Sequence, residues 1–204
     1  NMFGVDENRR DQELQNILND NSIDYETFDD QVVYSPGSIT TMEDKPYSVF
    51  TPFKRRWIEN FNIDFLDIEF NYTSKNDSGI SSNVDEFNFD FKKTHSVDMS
   101  LWNVGEESAI SILKEYLDNK VLRYSKDRND PIIDGTSRLS PYLAWGNISI
   151  RQAFQFVKNH PNFVHNKRAF NGLLTRLKWN CHFIQKFENE CTYETQCVNK
   201  GFEL

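Results

Sequence analysis

A chain of 204 residues can form one substantial domain or two small ones, and with a hydrophobic fraction of 38% much of its burial must come from its 17 Phe, 8 Tyr and 4 Trp. The net charge of -8 excludes a protein that coats nucleic acid through bulk positive charge, so any nucleic-acid role needs a local basic patch. No apolar run reaches the length of a membrane span, and the first residues lack a secretory pattern; the sequence reads as cytoplasmic with no membrane partner.

In chain order, Leu14, Ile17 and Leu18 have helical spacing within Arg9 to Asn19, and Ile23 to Tyr34 mixes aromatic, β-branched and acidic residues like a short strand. Together they look like the tail of an α/β layer whose earlier strands lie upstream. Thr51 followed by Pro52 predicts an N-cap and first helical residue, with a short helix through Trp57. The basic cluster Lys54, Arg55 and Arg56 reads as a solvated face of that helix. Residues 60–100 carry Asn, Asp, Ser and Gly clusters without a sustained period, which predicts a long linker.

From Gly105 the period becomes helical. Ala109, Ile112, Leu113, Tyr116 and Leu117 line one face. Ser140 and Pro141 predict a second capped start, with Gly146 stopping that helix, and Ser149 with Gln152 predicts a capping box. A long helix is predicted over Lys167 to Glu188, its core stripe formed by Phe170, Leu173, Leu174, Leu177, Cys181 and Ile184. The three cysteines are odd in number and contain no CxxC pair, so they read as reduced thiols. His182 beside Cys181 points elsewhere on the helix, and no metal site is read.

Two clusters carry chemistry. Thr136, Ser137, Arg138 and Ser140 place three hydroxyls and a guanidinium before a predicted helix start, where free amides and the helix dipole would stabilise a phosphate. The same residues would equally serve as an ordinary turn and cap. On the long helix, Arg176, Trp179, Asn180 and Phe183 form a second ridge, which either borders a cavity for a planar ligand or packs as a second face with Arg176 reaching water.

The ordered runs Trp102 to Glu107, Tyr124 to Pro131 and Gly135 to Leu143, followed by Gly146, Ile148, Ser149 and Arg151, resemble the opening of the flavin domain of the photolyase/cryptochrome family. Arg10-Asp11, Pro46 to Phe53 and Trp57 resemble the end of that family's antenna domain and its passage into the linker. The resemblance implies a mostly α fold preceded by a remnant of an α/β, Rossmann-like layer. Residues 1–59 would close the antenna domain, 60–100 would form the linker, and 101–204 would open the helical FAD-binding domain.

The resemblance implies FAD as cofactor, contacted by Tyr124, Thr136, Ser137, Arg138, Leu139, Ser140 and Asn180. A second chromophore of folate or deazaflavin type would belong to an upstream part. It sets Arg128 on the DNA backbone and Trp179 against a flipped pyrimidine dimer. Two positions depart from the repairing members: Arg176 stands where they have Glu, and Asn180 where they have Arg. The implied function is light-driven repair of pyrimidine dimers, with damaged DNA as partner and Arg176 and Trp179 as the reacting groups. The alternative is a blue-light photoreceptor that acts on a signalling protein, and a third reading is a non-enzymatic module on the same scaffold. This piece alone is expected to be inactive, to lack stoichiometric FAD and to self-associate through the exposed ridge.

Overall fold

The computed structural model describes residues 4–62, 102–197 and 199–202; the predicted linker lies outside the described residues from position 63 onward. The described elements are α1 (Val5–Asp20), α2 (Phe50–Glu59), α3 (Glu106–Asn119), α4 (Tyr124–Asp127), α5 (Ser140–Ala144), α6 (Ile150–Lys158) and α7 (Lys167–Asn189). Short 3-10 turns occupy Val121–Arg123, Cys191–Glu194 and Lys200–Phe202. The fold is therefore mostly α, as expected.

Helix α7 is the hub. It packs against α2, α4 and α6, while α3 packs on α6 and on the turn at Val121–Arg123. The predicted stripe explains this position: Phe170, Leu173, Leu174, Leu177 and Cys181 are all buried, facing a core that includes Ala109 and Leu113 of α3 and Ala153, Phe154 and Val157 of α6. Each large apolar side chain so buried contributes about 1.5–3 kcal/mol, which outweighs the weak intrinsic propensity of a nine-residue helix such as α6.

The caps fix where the helices start and stop. The Ser149 hydroxyl accepts from the Gln152 amide at 3.1 Å and the Gln152 side chain accepts from the Ser149 amide at 2.7 Å, so the predicted capping box forms. Gly146 ends α5 in the left-handed region at φ 68°; its amide donates to Leu143 O and the Asn147 amide to Tyr142 O, the Schellman pattern.

Two predicted caps are displaced. Val49 and Leu139 occupy the cap positions, so Thr51 and Ser140 already lie inside α2 and α5 and neither makes a capping bond. Pro52 and Pro141 remain tolerated because first-turn amides have no intrahelical acceptor.

The strand predicted over Ile23 to Tyr34 is not found; the sole extended pairing among the described residues is an isolated bridge between Thr40 and Pro46. Consecutive Val32 and Val33 are both buried, which a half-buried strand with alternating faces would not allow. Two of the segment's carbonyls accept from helix side chains, Val33 O from Arg151 Nη2 at 3.2 Å and Gln31 O from Asn180 Nδ2 at 3.4 Å, and just beyond it Ile39 O accepts from Gln185 Nε2 at 2.7 Å. Those carbonyls find their partners outside any sheet. Helix α1 buries no residue, and Leu14 and Ile17 stay exposed beside a shallow groove that includes Tyr25 and Phe28. No described helix is long and apolar enough to cross a membrane.

Candidate functional site

A cavity of about 740 Å³ opens beside α7. One wall is α7, through Leu173, Arg176, Leu177, Asn180 and Ile184; the other is the approach to α5 and its first turns, through Ser137, Leu139, Ser140, Leu143 and Ala144. Residues Asn147 to Ile150 line it at the start of α6, and Asp30, Gln31 and Glu106 complete the polar part of the lining. The volume lies within the range of about 300–1,000 Å³ typical of ligand sites, and the lining combines apolar side chains with hydroxyl, amide and guanidinium groups and the carboxylates of Asp30 and Glu106.

The predicted site residues divide. Ser137, Leu139, Ser140, Arg176 and Asn180 line the cavity; Thr136, Arg138, Tyr124, Arg128 and Trp179 do not. Arg138 adopts φ 51°, a left-handed conformation costing a non-glycine residue about 1–2 kcal/mol, and its Nε pairs with Asp134 Oδ1 at 2.8 Å. This kink separates Ser137 and Leu139, which face the cavity, from Arg138, which does not. Lys120 pairs with the same carboxylate at 2.8 Å; its hydrogen bond is the first cause holding the Asp134 carboxyl below its ordinary pKa, with Arg138 adding to it.

The predicted anion cradle, residues 136–140, runs from a loop into α5. Helix α5 has only five residues, so its dipole is small. Two longer helices also start at the cavity: α3, whose first residue Glu106 is in the lining, and α6, through its cap Ser149 and first residue Ile150. The capping box marked that end in the sequence, but the order of elements along the chain did not say what it pointed at.

Tyr124 stands behind the cavity wall. Its hydroxyl accepts from Arg176 Nε at 3.2 Å, and the Arg128 guanidinium lies 5.6 Å from its ring centroid. Gly172 permits this approach, because a Cβ there would sit 2.9 Å from the Tyr124 ring. Tyr124 thus orients a cavity cation instead of lining the cavity itself.

Trp179 sits apart from the cavity residues of α7. The expected ridge splits because its two edges, Trp179 and Asn180, point about 100° apart around the helix. Arg176 and Asn180 face the cavity, while Trp179 stacks on Phe50 of α2 at 3.7 Å and 13° and on Phe183 at 5.4 Å. A base could stack on the Phe50 side only by displacing that ring. His182, fully buried, packs against Phe50, Phe53 and Trp179, and burial lowers its pKa. Phe183 remains 57% exposed, so the ridge is open there but closed at Trp179.

Sequence comparison decides the family. A family model for DNA photolyase matches residues 2–70. The deoxyribodipyrimidine photo-lyase of Vibrio cholerae is 34% identical over 187 residues, covering 87% of this chain. The chain belongs to the DNA photolyase family. The photo-lyase of Escherichia coli is 31% identical over 170 residues, covering 83% of this chain. The chain spans 38% and 34% of the lengths of these two photo-lyases. A crystal structure of a bacterial class III photolyase from Agrobacterium tumefaciens matches this photolyase-family chain with a TM-score of 0.81 at 21% identity, over all of the chain and 42% of that protein. This likeness concerns the fold.

Proposed function

We propose that the chain forms part of the FAD-binding domain of a light-driven DNA photolyase, with residues 1–59 ending an antenna domain and 101–204 opening the helical domain. The observation that carries this reading is the cavity between Ser137, Ser140, Arg176 and Asn180 in a chain of this family. Its donor set fits the cofactor: hydroxyls and the α6 N-terminus toward a diphosphate, Leu173, Leu177 and Ile184 toward a ring, and the Asn180 amide toward ring heteroatoms. When bound, reduced FAD supplies an electron under blue light to a pyrimidine dimer, and the electron returns once the dimer has opened. Thr136 and Arg138 are not among the residues lining the cavity, so this role falls first to Ser137 and Ser140.

Arg176 sets the character of the pocket. It is exposed, held by the Tyr124 hydroxyl, and permanently cationic, so it can donate to an anionic group or a carbonyl but can neither carry nor share a proton as a carboxyl does. A pocket with this cation in place of the family's carboxyl repairs cyclobutane dimers slowly. The same residue favours the second reading, a blue-light photoreceptor without repair.

The test uses the protein that contains this chain, reduced and illuminated with a dimer-containing oligonucleotide, with restored thymines counted. The double change Arg176→Glu and Asn180→Arg raises repair per absorbed photon under the first reading. Efficient repair by the unaltered protein that falls in the double variant makes Arg176 itself a working group. Absence of repair by both supports the photoreceptor.

A further inference from the structure

A second cavity lies on another side of α7. Lys54 and Trp57 of α2, Phe154 and Lys158 of α6, and Thr175 and Lys178 of α7 enclose most of a space of about 350 Å³. Three helices that the core brings together each contribute one lysine to it. None of the three has a carboxylate partner among the described residues.

Aromatic faces take the place of counter-ions. Lys178 Nζ lies 5.0 Å from the Trp57 ring centroid and 5.7 Å from that of Phe154, and Lys158 Nζ lies 5.4 Å from that of Phe61. Such faces attract a cation without neutralising it. Lys178 is only 6% exposed, and burial, then Lys158 and Lys54, lower its pKa to about 8. Burial, then Lys167, lowers that of Lys158. Beside them the buried Trp57 Nε1 has no hydrogen-bond partner, and the Thr175 hydroxyl lines the space. Repelling cations and an unpaired donor around a cavity with no described acid are relieved by one kind of occupant.

We propose that this cavity binds the tetrahedral oxyanion group of a small molecule, a phosphomonoester or sulfate, through Lys54, Lys158 and Lys178. The lysines supply charge, Thr175 a hydrogen bond, and Trp57 and Phe154 a wall that keeps water from screening the contact. Arg176 and Asn180 face the other cavity, so an oxyanion here does not compete for the flavin site.

The probe is inorganic sulfate, whose charge does not change between pH 7 and pH 9. Calorimetry and thermal melting are run in chloride buffer at matched ionic strength on the wild type and on Lys178→Met, Lys158→Met and, as a remote control, Lys126→Met. Sulfate binds the wild type and the control and is lost in the two cavity variants; a general salting effect would raise all four alike. Wild-type affinity falls about tenfold from pH 7 to pH 9, because the Lys178 ammonium fraction drops from about nine-tenths to about one-tenth around a pKa of about 8. Adenosine 5′-monophosphate competes with sulfate under the proposal. Undiminished sulfate binding in Lys178→Met, or no specific binding by the wild type, overturns it. So does a ten-residue oligothymidylate that binds more tightly than the monophosphate with the same dependence on Lys158 and Lys178, which makes this face a nucleic-acid contact.

Discussion

Replacing Lys178 by Met, without any oxyanion present, tests whether the buried ammonium is held at a cost to stability. Its pKa falls from the ordinary 10.5 to about 8, chiefly through burial and then through Lys158 and Lys54. At pH 7 that depression corresponds to a destabilisation of about 3 kcal/mol. The rings of Trp57 and Phe154 return about 1–2 kcal/mol through their attraction for the cation. Methionine keeps most of the stem's contacts and needs no proton, so the variant gains about 1–2 kcal/mol at pH 7. The sign with pH follows from proton counting. Between pH 8 and pH 10.5 the unfolded chain still binds the proton that the folded chain has released, so wild-type stability rises with pH across that window. The advantage of the variant therefore shrinks from pH 7 to pH 10. Urea unfolding of both proteins at several pH values measures the difference, in which the other lysines cancel. A variant less stable than the wild type at pH 7, or a gap independent of pH, refutes this account of Lys178.

Gln185→Leu leaves the Ile39 carbonyl buried without its donor at 2.7 Å and costs about 1–3 kcal/mol in urea unfolding, with faster proteolysis between residues 29 and 40. Gly172→Ala drives a methyl against the Tyr124 ring; the clash outweighs the helix-propensity gain of about 1 kcal/mol, and the net loss of about 1 kcal/mol is read in the same assay. Ser149→Ala removes one arm of the capping box and lowers stability by about 0.5–2 kcal/mol, seen as a lower melting temperature. Flavin titration of the protein containing this chain shows weaker binding for Tyr124→Phe, since Arg176 loses the hydroxyl that holds it, while Thr136→Ala leaves affinity unchanged.

Local signals in the sequence determined what local forces decide. The stripe from Phe170 to Ile184 specified α7 and its core face, because residues three and four apart share a side of any helix. Ser149 with Gln152 and Gly146 specified a start and a stop, since capping depends on atoms a few residues away. The ordered motifs from Trp102 to Arg151 carried the family resemblance, and of the residues it singled out Ser137, Leu139, Ser140, Arg176 and Asn180 line one cavity.

Only the tertiary structure decided the rest. Whether Ile23 to Tyr34 becomes a strand depends on what its backbone meets, and Arg151 and Asn180, more than a hundred residues away, take the carbonyls of Val33 and Gln31. Trp179 has the right spacing to join Arg176, yet Phe50 of a distant helix takes its ring, because a ridge spanning a wide arc is divided by whichever neighbour packs closest. Lys54, Lys158 and Lys178 sit in three separate stretches of sequence, each ordinary there. Packing α2, α6 and α7 together turns them into one charged cavity, since burial and repulsion exist only once the helices are assembled.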